Sequence, residues 1–324
     1  MPRVSVIIPT HDRPARLPQA VASARAAGRD VQIIVVDDAS SDETANVCQM
    51  LAGIHYVRVE RNQGVAGARN IGLIASRGEF ITFLDDDDLR LPKSLDDQIE
   101  LLSKSPAALF CYAQAIPQDD DGNRQQPFPM VCPQGDIFHE LLTRNFIPCG
   151  SVIFRRECLT RVGLLDDSIP RIDDWDLWLR ITELFPVVSM AAPVMIWRQA
   201  MAVSQQGSSD TVDVINLSIT HFRTRCLRLE RMANASRSER KNAWRKFSTN
   251  LADHLAWETF RSVCAGQLLR ALVSARTLLR LHPSIFLHLL RRWARASTIS
   301  TLLTADLETA RTQLKEIRSI PDNP

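Results

Sequence analysis

The sequence predicts an α/β protein: a Rossmann-like, mainly parallel sheet flanked by helices, followed by an α-helical C-terminal region. Three observations carry this reading. Apolar, β-branched runs alternate with helix-period runs through the first third of the chain. Those runs end in polar clusters, and ligands of open parallel sheets bind outside the carboxyl ends of the strands. Beyond about residue 204 the strand signals stop and the segments become helical and basic.

In order along the chain, "VSVIIPT" is a first strand broken near Pro9, and "RPARLPQAVASARAAG" a helix stopped by Gly28. "VQIIVVDDAS" is a second buried strand, and Ser40 with Glu43 fits a capping box opening the helix "DETANVCQMLAG". "IHYVRVE" is a third strand, "NQGVAGARNIGLIASRG" a small-residue helix ending near Gly78, and "EFITFLDDDD" the fourth strand. Further on, "ALFCYAQAI" and "QQPFPMV" flank the turn "DDDGN" as a strand pair, and "GSVIFRRECLTRVG" reads as a strand and short helix. "RIDDWDLWLRITELF" places Leu177, Trp178, Ile181 and Leu184 at helical spacing, and "VVSMAAPVMIWRQ" is a late strand. The polar stretch "SQQGSSD" marks a boundary between residues 1–204 and 205–324. The first part divides again, into about 1–115 and about 116–204.

Composition narrows the functional classes. The 324 residues are 45% hydrophobic, ordinary for a globular chain, and contain no apolar run long enough to span a membrane. The N-terminal apolar stretch is too short for a signal peptide. Seven scattered cysteines without a CxxC argue against a disulfide framework or zinc site. A reducing cytoplasm fits these features best, with the inner face of the cell membrane an alternative that the basic C-terminal part raises. The net charge of +2 conceals an asymmetry: residues 1–204 carry 20 Lys+Arg against 27 Asp+Glu, residues 205–324 carry 19 against 10. Arg223, Arg225, Arg228 and Arg231, then Arg291, Arg292 and Arg295, form basic clusters suited either to a solvated face or to an anionic membrane. Aromatic interleaving and a nucleic-acid motif are lacking, so no nucleic-acid partner is expected.

Four consecutive carboxylates, residues 85–88, close the fourth strand. Alone, such a run is a solvated acidic turn; beside two other polar strand ends, Pro9-Thr10-His11-Asp12 and Asp37-Asp38, it suits a hard divalent cation, Mn²⁺ or Mg²⁺. In "GVAGARN", small residues let a helix start approach a ligand, and Arg69 either serves an anion or is a packed, salt-bridged residue. Asp173 and Asp174 stand where a helix begins, as caps or as a general base. Trp178 is core; Trp175 is either core or a sugar platform.

Together "VSVIIPTHDRP", "IIVVDDASSDET", "NQGVAGARNIGLIASRGEFITFLDDDD" and "RIDDWDLWLRI", in this order, resemble the family 2 glycosyltransferases of the GT-A fold, of bacterial cell-surface glycan type, over roughly residues 3–204. The resemblance implies an inverting transferase moving a sugar from a nucleotide-diphosphate donor, by family habit a UDP-sugar, to a hydroxyl of a polysaccharide, lipopolysaccharide or lipid-linked glycan. It implies Asp87 and Asp85 as metal ligands, Asp86 facing the ribose or sugar, and Asp88 standing behind the ligands or capping the next helix. It implies Asp38 against the donor base, Asp37 orienting its loop, and Pro9, Thr10, Asp12 and Arg13 lining the nucleotide pocket. Arg69 and Arg198 would neutralise the diphosphate, and Asp174, with Asp173 beside it, would be the base. One departure stands out: Ala200 occupies the place of a histidine that in the family reaches the donor phosphate or metal. Two other readings remain: a nucleotide-sugar-binding or scaffolding protein, and a sugar-phosphate nucleotidyltransferase, against which the glycine-free "IIPTHDRPARL" argues.

Overall fold

The computed structural model describes residues 2–198, 211–264 and 266–281. Two compact units divide the chain, Met1–Phe247 and Ser248–Pro324. The boundary expected at residues 204–210, Ala200 and the cluster Arg291, Arg292 and Arg295 lie outside the described residues.

The first unit opens with β1 (Val4–Thr10), α1 (Leu17–Ala26), β2 (Val31–Asp37), α2 (Thr44–Met50), β3 (Ile54–Arg58), α3 (Gly64–Ala75) and β4 (Phe80–Phe83). It continues through β5 (Leu89–Arg90), α4 (Ser94–Ser103), β6 (Phe110–Gln118), α5 (Phe138–Thr143), β7 (Ile153–Arg155) and α6 (Leu159–Val162). Then come α7 (Asp173–Leu184), β8 (Val187–Arg198), α8 (Thr211–Thr224) and α9 (Glu230–Ala233). Helix α10 (Arg237–Cys264) follows, and α11 (Leu268–Leu281) belongs to the second unit. Among the described residues no helix is long and apolar enough to cross a membrane.

One eight-stranded sheet runs in the order β3-β2-β1-β4-β7-β6-β8-β5. Strands β1 to β4 pair in parallel, and so do β6 and β8, so the sheet is mainly parallel as the alternation predicts, with the short strands β7 and β5 antiparallel to their neighbours. Every residue of β1 is buried, because a central strand is covered on both faces and "VSVIIPT" needs no polar alternation. Val6 and Ile8 pack with Leu17, Val21 and Ala24 of α1 and Leu95, Ile99 and Leu102 of α4. On the other face α3 lies so close that a Cβ on Gly72 would stand 2.2 Å from Ile7 Cγ2. Small residues in α3 thus set the distance between helix and sheet.

Several sequence expectations are corrected. The capping box does not form: Ser40 Oγ accepts the Asp12 N–H and the Ser40 N–H goes to Asp37, so Asp42 receives the Thr44 N–H and α2 starts at Thr44. The strand pair expected after β6 is present as isolated antiparallel bridges, Ala115 with Phe128 and Gln118 with Arg124, on the edge of β6 that β7 leaves free beyond Cys111. Leu184, counted on the buried stripe of α7, is exposed. Both tryptophans are core: Trp178 lies among Phe83, Phe110 and Phe154, and Trp175 stacks on Phe247 and donates to the Leu141 carbonyl at 2.8 Å.

Some of the described basic residues after β8 are engaged with the earlier chain. Arg231 forks onto Asp136 at 2.9 and 2.7 Å and lies over Phe138, and its backbone N–H donates to Glu183. Arg225 pairs with Asp166, and Arg223 lies over Trp244. Buried His221 meets Asp176 at 2.8 Å. Part of the positive charge of this segment therefore answers acids of the earlier chain.

Candidate functional site

Strands β1, β2 and β4 end side by side, because β1 pairs with both neighbours in parallel. Their ends open into a cleft of about 600 Å³, closed on the other side by the turn at 147–150, the start of α7 and the end of β8. Pro9, Thr10, Arg13, Asp38, Arg69, all four acids of residues 85–88, Asp173, Asp174 and Arg198 line it. Asp12 does not; it has positive φ and its carboxylate accepts the Ser41 and Asp42 N–H groups, tying the β1 loop to the β2 loop.

The four aspartates have four environments. Asp85, part-exposed, accepts Arg69 Nη2 at 2.8 Å. Asp86 is buried and accepts Thr10 Oγ1 at 2.7 Å and Arg13 Nη1 at 3.1 Å. Asp87 accepts the same Nη1 at 2.9 Å. Asp88 is buried and accepts the backbone N–H of Arg198 at 2.8 Å. It thereby fastens the end of β8 to the acidic turn. Burial pushes Asp86 up to about 7 despite Thr10 and Arg13. Burial and then the Asp85 charge raise Asp87; the same causes carry Asp88 well above the carboxylate range. Removing charge from water costs more here than the arginines return.

On the second strand end the two acids separate. Asp37 is fully buried and accepts Tyr56 Oη at 2.7 Å and the Ser40 N–H at 2.8 Å, which shapes the loop. Asp38 faces the cleft and accepts the Gln63 N–H at 2.7 Å, and burial raises its pKa.

Arg69 is buried and donates one nitrogen to Asp85 and the other to Asp173, at 2.8 and 3.0 Å. Of the two alternatives for this residue, the packed, salt-bridged one describes its contacts. It links the acidic turn after β4 to the start of α7 across the cleft. Asp173 is thereby neutralised and buried, whereas half-buried Asp174 is pushed up to about 7 by burial and by the charge of Asp173. A carboxylate held near neutrality beside a cleft is poised to take up a proton at ordinary pH.

Arg198 donates Nη1 to Gln19 at 2.7 Å and Nε to the Asp87 carbonyl. The polar end of the first strand and the loop Asn145–Ser151 also contribute to the cleft. His11 lines the cleft with Nδ1 unpartnered. Cys149 and Gly150 form its wall, and a Cβ on Gly150 would stand 2.9 Å from Met195 Sδ. The signal for that wall was "IPCGS", a glycine turn just before a strand.

Carboxylates suit a hard divalent cation, and the raised acids of the turn show a local excess of negative charge that one would relieve. Among the described residues no group of three or more His, Cys, Asp or Glu is disposed around one point. The fit is therefore of the kind in which one or two carboxylates hold the ion and phosphate oxygens and water complete it, as Mg²⁺ favours.

A family model described as "Glycosyl transferase family 2" matches residues 5–163. An uncharacterized glycosyltransferase of Haemophilus influenzae is 25% identical over 182 residues, 56% of this chain and 62% of that protein. The GalNAc(5)-diNAcBac-PP-undecaprenol beta-1,3-glucosyltransferase of Campylobacter jejuni is 38% identical over 116 residues, 34% of this chain and 38% of that protein. The chain thus spans less than two thirds of either relative. Among solved structures, S. aureus TarS 1-349 in complex with UDP-GlcNAc superposes with a TM-score of 0.61 at 14% identity, covering 86% of this chain and 81% of that one. That likeness supports the GT-A-type fold.

Proposed function

Because this chain belongs to glycosyl transferase family 2 through residues 5–163, we propose that it is an inverting glycosyltransferase using a UDP-sugar and a hydroxyl of a lipid-linked or surface glycan. The observation that carries this reading is the Arg69 bridge, which holds the acidic turn and the α7 carboxylates at one cleft. The donor class is supported by the UDP-GlcNAc complex of TarS, the acceptor class by the undecaprenol-linked substrate named for the Campylobacter relative.

In this mechanism the base of the donor lies by Asp38 and the rim formed by Pro9, Thr10 and Arg13. Asp87 and Asp85 would hold Mn²⁺ or Mg²⁺ beside the donor diphosphate, where such an ion would supply neutralisation of the charge on the leaving UDP. Asp174 removes the acceptor hydroxyl proton as that oxygen forms its bond to the anomeric carbon and the bond to UDP breaks. A single displacement inverts the anomeric centre. Arg198 stands at the phosphate end of the cleft, and Asp88 keeps it there. Asp173, paired with Arg69, keeps Asp174 oriented and its proton affinity raised.

Membrane contact is proposed for the second unit, where α11 exposes Leu268, Leu269, Leu272 and Val273, with Arg276 and Arg280 exposed on the same helix. The anionic leaflet that such arginines favour is the cytoplasmic one, so the contact is proposed on that face.

The test is UDP release from a panel of UDP-sugars with and without Mn²⁺. Turnover lost in Asp174→Asn and Asp87→Ala, with UDP still bound by Asp174→Asn, supports the roles. Undiminished activity in both variants rejects them, and UDP binding without turnover across the panel favours a binding protein.

A further inference from the structure

Helix α7 begins without a cap. The residue at its N-cap is Ile172, which offers no side-chain acceptor to the free N–H groups of the first turn. Helix ends of this kind fray, yet Asp174 sits on that turn, and a base has to be held to within about 0.5 Å. Grips from other parts of the first unit stand in for the cap. Asp173 accepts Arg69 Nη1 at 3.0 Å, and Trp175 Nε1 donates to the Leu141 carbonyl at 2.8 Å. Asp176 accepts Arg180 Nε at 2.8 Å and meets His221 Nε2 at 2.8 Å. Arg180 in turn reaches the carbonyls of Val162 and Leu164. Asp174 is the one acid of the turn left without an ion pair among the described residues; its carboxylate accepts the Trp175 N–H at 2.6 Å. Its direction is therefore the direction in which the turn is held.

One of these grips comes from α8, past the boundary expected near residue 204. His221 is buried, with its ring centroid 5.5 Å from that of Trp175. Its Nδ1 lies 3.2 Å from Sγ of Cys226, in the short 3₁₀ turn Cys226–Arg228. If the thiol donates to Nδ1, the ring proton sits on Nε2 and goes to Asp176, and both ring nitrogens are satisfied. Cysteine, histidine and aspartate in this order also form nucleophilic relays. Here none of the three lines the cleft, Cys226 is buried, and burial and then the Asp176 charge push its thiol far above the ordinary range. Such a thiol is inert, so the trio orients rather than reacts. We propose that His221 is a positioning residue for the base: with its tautomer fixed by Cys226, it clamps Trp175 and Asp176 and so sets where Asp174 points. Helix α8 is then part of the catalytic machinery rather than of an appended region. This rests on the glycosyltransferase reading above.

The test compares UDP release from a UDP-sugar, UDP affinity and melting temperature in wild type, His221→Phe, His221→Gln and Phe222→Leu. His221→Phe keeps a ring against Trp175 and removes the donor. It is expected to lower kcat about tenfold or more, with donor KM and UDP affinity within about twofold. His221→Gln, whose amide nitrogen can donate to Asp176, is expected to recover part of that kcat. Phe222, buried on the same helix, packs on Trp244 and Phe247 instead. Phe222→Leu is expected to melt lower than wild type while keeping kcat within about twofold at a temperature where both are folded. Equal losses of kcat in His221→Phe and Phe222→Leu reduce His221 to packing and overturn the proposal. So does unchanged kcat in folded His221→Phe, or a loss confined to KM and UDP affinity. Should His221→Phe not fold, His221→Gln against His221→Asn decides, because the asparagine amide is too short to reach the Nε2 position; equal kcat in the two overturns the proposal, and a higher kcat in His221→Gln supports it. Wild type that releases UDP from no UDP-sugar rejects instead the transferase reading, and undiminished activity in Asp174→Asn rejects the base; either takes the proposal with it.

Discussion

Asp174 and Asp86 are each pushed up to about 7, chiefly by burial, and the two shifts have different consequences. A base acts only when deprotonated, so turnover should rise with pH through about 7 and level off above it. The measurement is kcat/KM for the donor across about pH 5.5 to 8.5, and Asp174→Asn should lower kcat by about 10²-fold or more with UDP affinity within about twofold. For Asp86 the effect is on stability. Its folded pKa lies above the unfolded carboxylate value, so between about pH 4 and 7 the native state holds a proton the unfolded chain does not. This contribution is present at low pH and is lost as pH rises to about 7. Asp86→Asn should therefore raise the melting temperature at about pH 8, by the equivalent of roughly 1–2 kcal/mol, and leave it nearly unchanged at about pH 4. A lower melting temperature at pH 8 would mean that its bonds to Thr10 and Arg13 outweigh its burial.

Elements place these residues, and the tightest placement is α3 on β1. Gly72 has no room for a methyl against Ile7, which is fully buried in the central strand. Gly72→Ala should cost about 1–3 kcal/mol in urea unfolding, the range for overpacking. Arg69 lies on the same helix, one turn earlier, so displacement of α3 should also loosen the bridge to Asp85 and Asp173. Truncating it, Arg69→Ala, leaves buried Asp173 unpaired and should cost about 3–5 kcal/mol. The double variant with Asp173→Asn should recover part of that, which a double-mutant cycle measures. At this scale the sequence was a good guide to strands and to α1, α3, α7, α10 and α11, because burial on one or both faces leaves a period in the residues. It misjudged the start of α2. Ser40 has cap chemistry, but the backbone N–H that claims its hydroxyl, that of Asp12, comes from a loop 28 residues away.

Across the molecule, the contrast between an acidic first part and a basic later part resolves into contacts within the first unit. Arg225 with Asp166, Arg231 with Asp136 and His221 with Asp176 bring residues after 210 onto the chain before 204. Every cleft residue lies in Met1–Phe247. A chain ending after Cys264 should therefore keep UDP affinity within about threefold of wild type and lose sedimentation with anionic vesicles. Retained sedimentation would move the membrane contact away from α11.

The sequence by itself determined the strand ends. Hydrophobic runs closed by polar residues are a local property, so Asp38 and residues 85–88 could be named from it, whereas Asp174, at the start of α7, was named from the family resemblance. Only the tertiary structure decided what each carboxylate does. Arg69 meets Asp173 across 104 positions, Arg13 meets Asp86 across 73, and Arg198 meets Asp88 across 110. Burial and distance to a counter-charge set the proton affinity of an acid, and both are properties of the folded chain rather than of its neighbours in sequence.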